Sequence, residues 1–219
     1  MYVRPVVRLG LCAAMAVAAG CTLRRMERTA PRAAHVPVSG ATVLKLAVGA
    51  GYLRVQGTSA ATEVFVSGNA QAATVAILNA IRIMTRRSGD TIFVSATLPP
   101  SRHEPGPAPA LDIMVQVPAS LALDVTDSTG ESIFRNVGTM RLVHGDGGLD
   151  IDGVGGPLDV VDGGGDMIVA NVRGDVHIVD GAGSIYLTNI AGSVTIPQDG
   201  SGEIQLSGVN GDVTVGSKM

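Results

Sequence analysis

Residues Met140–Val215 read, in steps of nine, MRLVHGDGG (140–148), LDIDGVGGP (149–157), LDVVDGGGD (158–166), MIVANVRGD (167–175), VHIVDGAGS (176–184), IYLTNIAGS (185–193), VTIPQDGSGE (194–203, one residue longer), IQLSGVNGD (204–212) and a short VTV (213–215). The first and third positions of every unit are aliphatic or Met, from Met140 and Leu142 through Leu149 and Ile151 to Val213 and Val215. The residue between them is polar (Arg141, Asp150, Asp159, His177, Tyr186, Thr195, Gln205), with Ile168 the exception. Spacing of two is the mark of a strand with one buried face. Each strand runs into a Gly-bearing corner such as RGD, DGAGS or NGD, where Gly reaches positive φ at little cost and Asp, Asn and Ser bond the local backbone.

Neighbouring units differ at their sixth position. Val154, Val172, Ile190 and Val209 alternate with Gly145, Gly163 and Gly181. The true repeat is therefore a pair of units, two strands with two kinds of corner, and a fixed period of that length is the signature of a solenoid. Stacked turns would set each strand about 4.8 Å from its equivalent one period on, so that like positions form aliphatic columns no single turn can bury alone. The expected fold class is all-β: a β-helix or flattened β-roll of parallel, in-register strands with 18-residue coils. An antiparallel sandwich of short hairpins would also use Gly-rich corners, but hairpins have no need of a two-strand superperiod.

The 219 residues contain 46% hydrophobic but only 3% aromatic residues and no Trp, so the core is built from small and branched aliphatics. The formal charge of −3 gives no reason to expect nucleic acid as a partner.

Residues 1–21 have the layout of a processing signal. Arg4 and Arg8 precede an apolar run, Leu9–Ala19, too short to span a bilayer comfortably, and Ala18-Ala19-Gly20-Cys21 closes it. This ending resembles a bacterial lipobox, with Ala18 where Leu is usual. The resemblance implies cleavage before Cys21 and diacylation of its thiol; a plain secretory signal cleaved near Ala19 or Gly20 is the alternative. Loss of Arg4 and Arg8 would leave 14 basic against 19 acidic residues. It would also leave a single Cys, so the fold would be held without a disulfide. Thr22 after the Cys, by resemblance to lipoprotein sorting, favours the outer membrane in a Gram-negative cell. The expected location is thus the cell envelope, lipid-anchored, on the periplasmic side of the outer membrane or at the cell surface.

Residues 22–40, with four Arg and two Pro, read as a flexible tether. Residues 41–118 form a less regular β portion. TVLKLAV, YLRVQG and TEVFVSG alternate as strands, whereas the Ala-rich Asn69–Asn79 reads as a short helix capped by Asn69. AIRIMT and TIFVSATL are then strands about an Arg86–Asp90 turn, and five Pro in 99–110 make an exposed loop. Arg82, Arg86 and Arg87 read as a solvated face that protects a sheet edge. Residues 119–219 form the regular solenoid, continuous with the first part.

The opening strand–turn–strand, the helix-like insert and the repeated xGD or xGS corners (Arg173-Gly174-Asp175, Ala182-Gly183-Ser184, Ala191-Gly192-Ser193, Asn210-Gly211-Asp212) over about 41–215 together resemble the DUF4097 group of bacterial "putative adhesin" domains. The resemblance implies a right- or left-handed single-stranded β-helix, often attached to the envelope, and brings no catalytic residues with it.

The residues themselves offer little chemistry. Nonapeptide calcium rolls place Asp after Gly-x, whereas here Asp follows Gly directly, and Ser184 and Ser193 interrupt any column of ligands. His35, His103, His144 and His177 are scattered, without zinc spacing. Expected metals and cofactors are therefore none. A glycan-active β-helix enzyme would need paired carboxylates and aromatic platforms, for which this chain supplies three Tyr and no Trp. The reading is a non-catalytic envelope module, adhesin-like or structural. It would bind the membrane through lipid on Cys21 and an envelope or surface partner through an outward face. The candidate contacts are Arg141 and His177 in one outward row and Ile168 and Tyr186 in another. Self-association through the edge at Val213–Val215 is the third reading.

Overall fold

A computed structural model describes residues 28–100 and 108–216. The fold is all-β, with two large mixed sheets of nine strands each. In chain order the elements are β1 (Arg28–Pro37), β2 (Val43–Ala50), β3 (Leu53–Thr58), β4 (Glu63–Ala72), α1 (Val75–Ala80), β5 (Arg82–Ser88), β6 (Thr91–Thr97) and β7 (Ala110–Pro118). They continue with β8 (Ala122–Thr129), β9 (Ser132–Val137), β10 (Met140–Asp146), β11 (Leu149–Val154), β12 (Leu158–Gly164) and β13 (Met167–Val172). The last are β14 (Val176–Asp180), β15 (Ile185–Ile190), β16 (Val194–Gln198), β17 (Ile204–Val209) and β18 (Val213–Val215). From β8 on, consecutive strands alternate between the sheets. One sheet runs β1-β4-β7-β3-β9-β11-β13-β15-β17, and the other runs β5-β6-β2-β8-β10-β12-β14-β16-β18. They are called the odd and the even sheet below.

Within each sheet, strands of the repeat region pair in parallel. Met140 lies beside Leu158, Leu158 beside Val176, Leu149 beside Met167 and Met167 beside Ile185, each partner one full period further along the chain. The first- and third-position side chains face inward and are buried from Met140 to Ile196. Full burial of one such aliphatic contributes about 1.5–3 kcal/mol. At the far end the pattern relaxes: Ile204 and Leu206 are half-buried, and Val213 and Val215 are exposed.

The corners explain the 18-residue alternation. After each odd-sheet strand of the repeat, the fifth position takes positive φ: Asn136, Gly153, Asn171, Asn189 and Gly208. Asn tolerates this conformation better than other side chains, and here its amide also bonds along the stack. Asn189 Nδ2 donates to Asn171 Oδ1 at 2.5 Å and Asn171 Nδ2 to Asp152 Oδ1 at 2.6 Å. The next residue (Val137, Val154, Val172, Ile190) turns into the core. After even-sheet strands the sixth position is Gly because the neighbouring corner leaves no room. A Cβ on Gly163 would stand 2.4 Å from the Gly145 carbonyl oxygen, and one on Gly181 would stand 2.2 Å from that of Gly163.

Antiparallel pairing is confined to the end built from β1, β4 and β5. Here the expected tether is corrected from residue 28 on, residues 22–27 lying outside the described residues. Arg28–Pro37 is an edge strand, paired from Arg28↔Ala72 to Pro37↔Glu63. Pro31 and Pro37 sit at exposed positions of that edge, where a missing N–H costs little. The helix is corrected as well. Asn69–Ala72 belong to β4, held between β1 and β7, with Ala70 and Ala72 fully buried. Only Val75–Ala80 is helical, and Thr74 rather than Asn69 caps it, its Oγ1 accepting from the Ile77 N–H at 3.2 Å. The expected turn at Arg86–Asp90 is narrower, because β5 runs to Ser88.

Candidate binding face and an interior ionisable column

Second-position side chains of the even sheet point outward and form one row: Arg86, Phe93, Lys45, Asp124, Arg141, Asp159, His177, Thr195 and Thr214 are successive register partners. From Lys45 to His177 the charges in this row are matched within it. Lys45 Nζ lies 2.8 Å from Asp124 Oδ2, Arg141 Nε 4.0 Å from Asp159 Oδ2, and His177 Nδ1 3.1 Å from Asp159 Oδ1. Arg141 and His177 are thus brought together through a carboxylate they share.

The other two candidates lie on the opposite sheet. Ile168, half exposed, is the register partner of Tyr186, and both follow Asp150. Asp150 is held by Arg135, whose Nη1 donates to Oδ1 at 3.0 Å and whose Nη2 pairs with Oδ2. The two pairs do not form one site. Cys21 and His103 lie outside the described residues.

Two features were not read from the sequence. The first is a parallel outward row at the fourth position of the even sheet: Met84, Ser95, Ala47, Thr126, Val143, Val161 and Val179. Met84, Val143 and Val161 are exposed. At its β5 end the row opens into a hollow of about 600 Å³, lined among others by Met84, Arg86, Phe93 and Lys45. The signal was available, since Val143, Val161 and Val179 recur once per period while the odd-sheet fourth positions are Asp152, Ala170, Thr188 and Ser207.

The second is an inward column one position further on. Asp127, His144, Asp162 and Asp180 are register partners in turn, and the register Val179↔Gln198 sets Asp199 beside Asp180. All five are buried. The extra residue of the seventh unit, absorbed as an irregularity between His177 and Val179, is what brings Asp199 rather than Gln198 into line. His144 Nδ1 is 2.6 Å from Asp162 Oδ1, and its Nε2 is 3.2 Å from the Gly130 carbonyl and 3.8 Å from Asp127 Oδ2. Both ring nitrogens therefore face acceptors, which suits an imidazolium. Ser132 donates its hydroxyl to Asp127 Oδ2 at 2.5 Å.

Desolvation works against charge on His144, but the Asp162 bond and charge, the Gly130 carbonyl and Asp127 outweigh it and raise its pKa. Burial raises Asp127 against the Ser132 bond and the His144 charge. Asp180 is pushed up to about 7 by burial and then by the neighbouring carboxylates of Asp162 and Asp199. Neither Asp180 oxygen has a partner in good hydrogen-bond geometry. Like charges at strand spacing in a dry interior do not ionise together. Among the described residues no group of three or more His, Cys, Asp or Glu is arranged to hold a metal ion.

No family model and no curated protein matches the chain. Solved structures that resemble it include the following two. One is a protein of Clostridium sporogenes ATCC 15579, named a "putative cell adhesion protein", at 14% identity and TM-score 0.43, covering 86% of this chain and 97% of that one. The other, from Parabacteroides distasonis ATCC 8503, is named a "putative lipid binding protein", at 14% identity and TM-score 0.41, covering 85% and 95%.

Proposed function

We propose that the chain is a non-catalytic envelope lipoprotein of the DUF4097 type. Its two sheets are then the walls of a β-solenoid with 18-residue coils, and it binds a protein partner through the outer face of the even sheet. The observation that carries this reading is the row Val143–Val161–Val179, an apolar stripe beside a charged row that neutralises itself. Paired ions cost less to desolvate than unpaired charges would, and an apolar stripe rimmed by polar residues is the kind of surface that marks an interaction site. The parallel 18-residue register supports the solenoid, and the lipobox-like Ala18–Cys21 supports the anchor.

A photo-crosslinking residue placed at Val161 in intact cells tests the face. The expected result is a discrete adduct that is absent when the same residue replaces Thr188 on the odd sheet. Equal labelling from both positions, or none from either, would contradict the reading. A second reading, self-association, is favoured by the exposed Val213 and Val215 on edge strand β18. It predicts a sedimentation coefficient that rises with concentration for the wild type and stays constant for V213K/V215K.

A further inference from the structure

Charge is distributed very unevenly along this molecule. Between Arg28 and Thr97 there are seven Arg or Lys against two acidic residues, Glu63 and Asp90; between Ala110 and Gly216 there are three against fifteen. The sheets translate this sequence asymmetry into a spatial one, because β1, β4, β5 and β6 gather at one end of the two sheets and the acidic strands follow toward the other. The cationic end is also where the described chain begins, at Arg28.

The details of that end favour a surface over an internal role. Arg82, Met84 and Arg86 alternate along edge strand β5, paired with Thr97, Ser95 and Phe93, so all three project from the outer face. All three are exposed, Met84 by 53%. Arg86 lies over the Phe93 ring, 4.3 Å from its centroid. Arg87 is steadied by carbonyls, donating from Nη2 to Ser39 at 2.7 Å and from Nε to Gly89 at 3.1 Å. Among the described residues, no ion pair engages Arg82, Arg86 or Arg87. Arg32, by contrast, is spent on structure, donating to the Leu78 and Ile81 carbonyls and tying β1 to the end of α1. That bond brings α1, with exposed Val75, next to β1 and β5.

We infer that the β5 end, with Arg82, Met84, Arg86 and Arg87 at its centre, is a docking surface for an anionic lipid bilayer. This rests on the proposal that Cys21 carries lipid. Arg28 is the seventh residue after Cys21, a reach of at most about 25 Å. An anchor so close holds this end, and not the acidic one, against the headgroups. Arginine guanidinium groups pair with lipid phosphates in bidentate fashion, and an exposed Met between them enters the interface. The acidic strands are repelled by the same surface, so the β18 end is turned away from it and the part of the even-sheet face around Val143, Val161 and Val179 stays free.

The test uses the mature chain, residues 21–219, with Cys21→Ser, so that binding owes nothing to acylation. Co-sedimentation is measured with phosphatidylcholine vesicles, with and without phosphatidylglycerol, at low ionic strength. The expected result is binding only to the anionic vesicles, lost on adding salt. At about fivefold per charge removed, R82Q/R86Q should bind roughly 25-fold more weakly. R173Q, in the acidic half, should bind as the parent does. Because Arg87 and its carbonyl bonds are left intact, the double variant is expected to keep the parent's melting temperature, which is checked alongside. Equal binding to neutral vesicles, no binding to anionic ones, or an unchanged affinity for R82Q/R86Q would each overturn the inference. The anchor is judged separately, by acylation of the wild type in cells. An acylated protein whose Cys21→Ser form ignores anionic vesicles would sink the docking surface alone; vesicle binding without acylation in cells would sink the anchor and leave the surface standing.

Discussion

Asp180 and His144 give the interior a dependence on pH whose sign follows from their surroundings. The folded protein holds the Asp180 proton up to about pH 7, whereas the unfolded chain releases it near the ordinary value of 3.8. Between those values folding takes up a proton, so stability falls as pH rises across the window and stays low above it. Asp127, also raised, slopes the same way. His144, raised above 6.5, contributes stability that is complete below that value and is lost as pH climbs through its folded pKa. The melting temperature should therefore decline as pH rises from about 4 to 8, with Asp180 among the groups responsible. Asp180→Asn, which cannot ionise, should flatten the profile and melt higher than the wild type at pH 8. Parallel profiles for the two proteins would contradict this assignment. The column was legible in principle, as residues 144, 162 and 180 fall in one slot of the 18-residue frame. It went unread because Asp and His in Gly-rich corners are the ordinary residues of turns, and only the register shows that this slot faces inward.

At the scale of elements, the repeat strands were readable because each carries its own signal: apolar at the first and third positions, Gly or Asn at the bend. The two corners that differ at the sixth position prove to be two solutions to crowding, an inward aliphatic on one side and a bare Gly on the other. Gly165 combines both constraints on the even-sheet side, with φ of +120° and a hypothetical Cβ only 1.9 Å from the Gly147 carbonyl oxygen. Gly165→Ala should cost at least about 2 kcal/mol, measured by denaturant melts. At Asn171, where φ is +57°, replacement by Gly should cost less than replacement by Val, which is β-branched and disfavoured there. Equal losses for the two would show that the bend is not what the Asn serves. β1 and the true limits of α1 were hidden for opposite reasons. In Arg28–Pro37 the Arg and Pro residues mask an alternation (Ala30, Arg32, Ala34, Val36) that only an edge position tolerates. In Asn69–Ala72 a small, Ala-rich composition imitates a helix but fits the tight space between β1 and β7.

Across the whole molecule, Ile168 and Tyr186 are direct register partners on the odd sheet, whereas Arg141 and His177 flank Asp159 on the even sheet, so the two pairs belong to different faces. The apolar stripe was hidden from a reading unit by unit, since it depends on what stands one period away, whereas the cationic end was present in the charge balance of 28–97 and needed the topology to gather it. The rows on both outer faces and the interior column depend on that period being a spatial step. The most direct test is a distance between spin labels at Asp124→Cys and Thr214→Cys, which lie five in-register strands apart on the even sheet. Parallel stacking predicts a backbone separation of about 24 Å, five strand spacings. A meander of consecutive hairpins would place the same two residues ten strands apart, at twice that separation, and a distance in that range would contradict the account.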